Sequence, residues 1–223
     1  MATTEDLSFS VFHGFAQYPE YVFNLGSQAV DAINPEESAL GADASFTLTD
    51  FIVRLESAVH MPDNGKDTDP LYGLVEPWHW DSVIGIEKPV FDDFRVQLQL
   101  LYRWHLYYQD ALYTSGPNAQ VNQIQQGVAR TNATLLNYRK QGNPGATFRI
   151  GYAKDSSKWT VDLFLVGYFA EGQDYLLRPQ VGFTPAEGFK LLAGFDLYGG
   201  DPTGPLGALH HQSDGFFEAK YLF

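Results

Sequence analysis

From Phe94 to Leu106 the chain alternates without a break. Phe94, Val96, Leu98, Leu100, Tyr102, Trp104 and Leu106 fall on one face of an extended strand. Arg95, Gln97, Gln99, Leu101, Arg103 and His105 fall on the other. A strand of that length covers about 43 Å at about 3.3 Å per residue. Strands of soluble domains have about five or six residues, whereas one tilted through a bilayer needs ~9–11. The alternation predicts a strand long enough to cross hydrocarbon and project beyond it.

The same split recurs in segments 7–11, 40–48, 51–59, 78–87, 146–152, 159–169, 177–183, 189–198 and 217–223, which makes ten strands in all. Opposite the apolar stripes stand seven basic residues, Arg54, Arg95, Arg103, Arg149, Arg178, Lys190 and Lys220. Seven acidic ones accompany them: Asp43, Glu56, Asp81, Glu87, Asp162, Asp196 and Glu218. A balanced set suits a confined polar interior, where an uncompensated charge is costly. A soluble sandwich would instead turn these charges to water and bury the aromatics.

Connections alternate in length. Thr49-Asp50, the Lys88 to Asp93 region, Lys154 to Lys158 and Thr184 to Gly188 are tight and rich in turn-forming Pro, Gly, Asp and Ser. Segments 17–39, 61–77, 107–145 and 199–214 are long, and Glu171-Gly172-Gln173 is the one short link on their side. Short turns at one end and long loops at the other describe a bacterial membrane barrel, with short turns periplasmic and long loops extracellular. An even number of strands puts both termini at the short-turn end. Within segment 107–145, residues 118–127 suit a short helix, and residues 131–140 would extend the sixth strand outward. Pro179 predicts a bulge, since it cannot donate to a ladder.

Composition narrows the function. With no Cys, disulfides and thiolate metal sites are excluded. A net charge of −13 argues against nucleic acid, which is bound by clustered Lys and Arg. The surplus carboxylates lie largely in the long connections, at 31–37 and 63–69. No stretch approaches the ~20 apolar residues of a spanning helix. Aromatics make up 15% of the chain, as expected of a barrel with aromatic girdles. The first residues show no basic-then-apolar signal pattern, so an outer-membrane location implies a signal peptide already removed or replaced.

At the C-terminus Phe217, Ala219, Tyr221 and Phe223 alternate with Glu218 and Lys220. This segment resembles the closing strand of outer-membrane β-barrels, which ends on an aromatic, and the four residues are assigned as an assembly signal. From Phe91 onward the chain resembles the C-terminal region of a large family of proteobacterial, porin-like outer-membrane β-barrels known mainly as a domain of unknown function. The motifs are Asp92-Asp93-Phe94-Arg95-Val96-Gln97, Asp174-Tyr175-Leu176-Leu177-Arg178-Pro179, the run from Phe189 to Gly200, and the ending from Phe217 to Phe223. Members of that family are longer. The resemblance therefore implies one all-β, antiparallel transmembrane barrel over residues 1–223, closing at about ten strands or forming the C-terminal part of a wider barrel. It also implies outer-membrane lipid and the barrel assembly machinery as partners.

The functional expectation is a porin-like channel for small hydrophilic solutes. Its lumen would be lined by Arg54, Glu56, Arg95, Gln97, Gln99, Arg103, His105, Arg149, Asp162, Arg178, Gln180, Lys190, Asp196, Glu218 and Lys220. The alternatives are a non-conducting scaffold acting through its extracellular loops and, third, a soluble β-rich binding protein. Barrels of about eight strands are filled by their own side chains, so ten leave at most a narrow passage. No catalytic constellation, nucleophile elbow or phosphate-binding loop is present, and neither an enzyme nor a cofactor is expected. Asp162 and Asp196 are a candidate facing carboxylate pair, with basic neighbours as the competing explanation. His210-His211 lacks a third ligand at a recognised spacing, so no metal site is assigned.

Overall fold

The computed structural model describes residues 3–24, 26–63, 78–91, 93–108, 118–153, 158–170 and 172–221. Phe223, Asp92 and most of the 61–77 connection lie outside them. The elements, in chain order, begin with β1 (Thr3–Phe15), β2 (Glu20–Asn24), β3 (Ala29–Ile33), β4 (Glu36–Leu48) and β5 (Phe51–Asp63). Next come β6 (His79–Pro89), β7 (Phe94–His105), α1 (Ala119–Leu135), β8 (Gly142–Ala153) and β9 (Trp159–Tyr168). The last are β10 (Asp174–Ala186), β11 (Phe189–Gly200) and β12 (Asp214–Tyr221). Among the described residues, no helix is long and apolar enough to cross a membrane.

Among the described residues, ten strands form a single antiparallel sheet in the order β1-β4-β5-β6-β7-β8-β9-β10-β11-β12, while β2 and β3 pair separately. These ten are the segments that the alternation marks. Among the described residues no ladder joins β1 to β12, so the sheet has two edges. Four of the strands reach 13 residues, about twice the usual soluble length. Two tight turns set their register. Leu48 pairs with Phe51 across Thr49-Asp50, and Ala186 pairs with Phe189 across Glu187-Gly188. Gly188 takes φ 76°, which a residue without Cβ adopts freely, but Thr49 takes φ 58° with a β-branched side chain.

The two faces differ in chemistry. Leu55, Ile84, Ile86, Leu98, Leu100, Leu165 and Val181 are exposed on one face. Aromatic residues flank this aliphatic band at both ends. Toward the short turns, Phe94 meets Tyr152 with ring centroids 5.0 Å apart, and Trp159 meets Phe183 at 4.4 Å. Toward the long connections, Trp78 meets Tyr107 and Tyr102 meets Trp104, each pair at 6.2 Å. The opposite face carries the charges, and it is concave: one cavity of about 530 Å³ is lined by residues from six adjacent strands, β6 to β11.

The dry core lies elsewhere. Buried apolar side chains are Val22 and Phe23 of β2, Val121, Ala129 and Ala133 of α1, and Leu136, Tyr138 and Leu176. Ala133, Leu136 and Tyr138 form one cluster with Tyr108 packed against it, and α1 packs on β2. The helix begins at Asn118, whose side chain accepts from the Val121 amide at 3.0 Å. Val121, Gln125, Ala129, Asn132 and Ala133 form its buried stripe at helical spacing.

Three sequence expectations are corrected here. The helix runs through Gly127 to Leu135 rather than ending early, so residues 131–135 are helical and do not prolong a strand. Tertiary burial of its stripe outweighs the weak propensity of Gly127, Thr131 and Asn132. No bulge occurs at Pro179, because the register continues unbroken from Leu177↔Leu197 to Gln180↔Gly194. The shift falls instead between Phe183 and Ala186, beside Pro185.

Candidate functional site

The concave face is a ladder of cross-strand ion pairs. Arg54 of β5 donates to Glu87 of β6 at 2.6 Å, and Arg95 of β7 reaches the other oxygen of Glu87 at 3.3 Å. Arg149 of β8 donates to Asp162 of β9 at 2.6 Å, and Gln180 of β10 approaches the same carboxylate at 3.5 Å. Arg178 of β10 donates to Asp196 of β11 at 2.7 Å. Lys220 pairs with Glu218 along β12 at 2.9 Å. Thr147 donates to Gln99 at 2.9 Å. Arg103 of β7 pairs with Asp81 of β6 at 2.7 Å, so six of the seven basic residues singled out in the sequence sit in ion pairs on one face.

Gln97 and Lys190 join Arg95, Arg149 and Gln180 around the cavity. Glu56 stands opposite Asp43 nearer the β1 edge, where Ser8 donates to Asp43. On the other face Phe217 and Tyr221 are 71% and 66% exposed, and Ala219 is exposed between them. Asp162 and Asp196 do not face one another: β10 lies between their strands, and each carboxylate has its own Arg.

At the long-connection end the concave face is covered. Arg103 of β7 donates to the Leu136 carbonyl at 2.9 Å, and the rings of His105 and Tyr138 lie 4.6 Å apart. Arg139, three residues after Leu136, pairs with Asp174 of β10 at 3.6 Å, both side chains being at least 95% buried. The segment following α1 therefore touches β7 and β10 with β8 and β9 between them, and so crosses the polar face at the long-connection end. Asn132 holds α1 to β2, accepting from the Tyr21 amide at 2.9 Å and donating to the Tyr21 carbonyl at 2.8 Å. Asp174 also accepts from the Leu206 amide at 2.8 Å, which draws in the β11–β12 connection. In that connection the Thr203 amide and hydroxyl hold the Asp201 carboxyl below its ordinary range.

Beneath this cover lies a row of imidazoles. His60, His79 and His105 are direct partners on β5, β6 and β7. His60 and His79 stack with centroids 4.6 Å apart and planes 5° from parallel, and the Glu37 carboxylate contacts His60 Nδ1. Donor atoms of His60, His79 and Asp81 lie within 4.8 Å of one another. The His210-His211 pair, in contrast, sits exposed in the 3-10 turn Gly207–Gln212.

Of this end, the sequence singled out Arg103 and His105 as lumen residues and Asp81 as an inner-face acid. The turn Lys88 to Asp93 sets the register in which His79 faces His105 and Asp81 faces Arg103, so that pairing is recoverable from a tight hairpin. His60 joins through β5–β6, whose strands are linked by a long connection that encodes no register. No family model, curated protein or solved structure matches this chain.

Proposed function

We propose that the chain is an outer-membrane β-barrel with a narrow, porin-like polar lumen for small hydrophilic solutes, constricted at its long-loop end by α1 and the segment after it. The observation that carries this reading is the inverted polarity of the sheet. Aliphatic side chains are exposed on the convex face, while charges are paired on the concave one. In water that arrangement wastes the hydrophobic effect, whereas in hydrocarbon it is the arrangement that a spanning sheet requires.

Dimensions support it. From Phe94 to Trp104 the strand covers about 33 Å, or about 23 Å of height at a 45° tilt, against an apolar band of about 25 Å in known barrels. The flanking aromatic pairs match the two interfacial girdles. Closure of β12 on β1 would satisfy both sheet edges in antiparallel fashion, since the two strands run in opposite directions. It would also bring Lys220 and Asp6, both near the short-turn end, to the same polar face.

The solute-accessible part of the lumen is the 530 Å³ cavity, where Arg95, Arg149 and Lys190 face Glu87 and Asp162. A second reading, a non-conducting barrel acting through its long connections, is favoured by the anchoring of the cover at Arg103, Asn132 and Asp174.

The test has two arms. Purified protein should need detergent to remain monodisperse, shift on a denaturing gel on boiling, and lose tryptophan emission to brominated lipid. A monodisperse monomer in plain buffer, unquenched by lipid, removes the membrane reading and leaves a soluble β-rich binder. In planar bilayers, small stepwise conductances support the channel, and a folded but silent protein supports the scaffold.

A further inference from the structure

We propose that His60, His79 and Asp81 form a binding site for a divalent transition-metal ion of the zinc class. The site lies on the polar face, at its long-connection end. It is independent of whether the lumen conducts.

The geometry carries it. One donor atom from each of the three residues lies within 4.8 Å of the others. His79 and Asp81 sit two apart on β6 and so share a face, with His79 Nε2 3.9 Å from Asp81 Oδ2. His60 is the direct cross-strand partner of His79, and the two rings stack with centroids 4.6 Å apart, so one ring turns out of the stack for both in-plane lone pairs to reach a common ion. Donors around a tetrahedral ion with ~2.1 Å bonds stand about 3.4 Å apart. Side-chain rotation alone, including the turn of one imidazole out of the stack, closes the cluster from 4.8 Å to that spacing while the ladder holds the backbone.

The donor chemistry selects the ion. Two imidazoles and one carboxylate make the three-ligand set of open zinc sites, in which water or a ligand takes the fourth position. Imidazole favours zinc, cobalt, nickel and copper over magnesium or calcium. Glu37 contacts His60 Nδ1, as outer carboxylates orient metal-bound imidazoles, so an ion would be bound through Nε2. The His60 and Asp81 side chains are 28% and 30% exposed, so the cluster is reachable from solvent.

Arg103 explains how the cluster persists without an ion. Its guanidinium grips both oxygens of Asp81 and neutralises the carboxylate. A bound cation competes with that fork, so Arg103 sets the affinity without being a ligand. The competing account makes Asp81 nothing more than the partner of Arg103 and the imidazoles a neutral stack. The two accounts differ in what happens when Arg103 is removed.

The experiment titrates the full folded chain in detergent with CoCl2, followed by visible absorption, and with ZnCl2, followed by calorimetry. One equivalent of cobalt should give d–d bands of a low-coordinate nitrogen–oxygen site, which zinc then abolishes. Glu37→Gln should weaken zinc binding about 10–100-fold, and His60→Ala or His79→Ala by more. Arg103→Gln should tighten it. Replacing His210 and His211 together by Ala should leave it unchanged.

A folded wild-type protein with no cobalt bands overturns the proposal even where the His variants fail to fold. So does binding that survives His79→Ala or vanishes with His210 and His211. If Arg103→Gln leaves affinity unchanged or weakens it, the site as drawn is wrong.

Discussion

Arg103 stands directly opposite Asp81 in the β6–β7 ladder and holds it with two bonds of 2.7 Å, from Nε to one oxygen and from a terminal nitrogen to the other. The same guanidinium donates to the Leu136 carbonyl, just past the end of α1. One side chain thus couples the wall of the sheet to the element that covers its end, with a bidentate geometry that Lys does not reproduce.

Replacing Arg103 should accordingly loosen the cover more than the sheet. Arg103→Gln is expected to keep heat-modifiable folding while residues 118–141 become more open to added protease. On the channel reading proposed above, it should also raise conductance in planar bilayers above that of the parent protein. Unchanged cleavage would mean that Asn132 and Asp174 hold the cover without it.

Asp174 is the more costly residue to remove. Its side chain is fully buried, faces Arg139, and accepts from the Leu206 amide. Asp174→Ala leaves a buried guanidinium and an unmatched amide, which should cost about 3–5 kcal/mol. Arg149→Gln, at a pair where the Arg side chain is 54% exposed, should cost about 0–1 kcal/mol. Denaturant unfolding of the two variants side by side checks the contrast.

Asn132 joins α1 to β2 by pairing with both backbone groups of Tyr21. Asn132→Ala leaves a donor and an acceptor without their partner in a nearly closed environment, at a cost of about 1–3 kcal/mol. Hydrogen exchange is the direct measurement. The Tyr21 amide should exchange faster, while amides in the β7–β8 ladder keep their protection.

On the convex face, Leu98→Arg should destabilise the protein folded in lipid by about 2–4 kcal/mol if it lies near the bilayer midplane. A soluble sheet would tolerate the same change, because Leu98 is 45% exposed. Folding titrations in vesicles, compared with those of a short-turn-end variant such as Phe94→Arg, measure the depth dependence. A flat response across the two positions would contradict a membrane-embedded face.

Thr49 gives a local test of turn strain. A β-branched residue at φ 58° is held there by its two-residue hairpin. Thr49→Gly should raise the midpoint of unfolding by relieving about 1 kcal/mol or more. The neighbouring Asp50→Gly should not.

The sequence by itself determined the ten strands, their faces and the antiparallel order, because period-two alternation and tight turns are local. A residue such as Leu98 or Arg149 declares its face through its two neighbours, and the Lys88 to Asp93 turn sets the register that opposes Asp81 to Arg103. The sequence did not reveal the β2–β3 hairpin, the full length of α1, or the burial of Arg139 and Asp174. Their hydrophobic signals are short, and their partners lie far along the chain, as Asn132 and Tyr21 do. Only the tertiary structure placed His60 beside His79, since the long connection between β5 and β6 transmits no register. Local periodicity specifies a sheet. What covers its end depends on contacts between segments that no local pattern links.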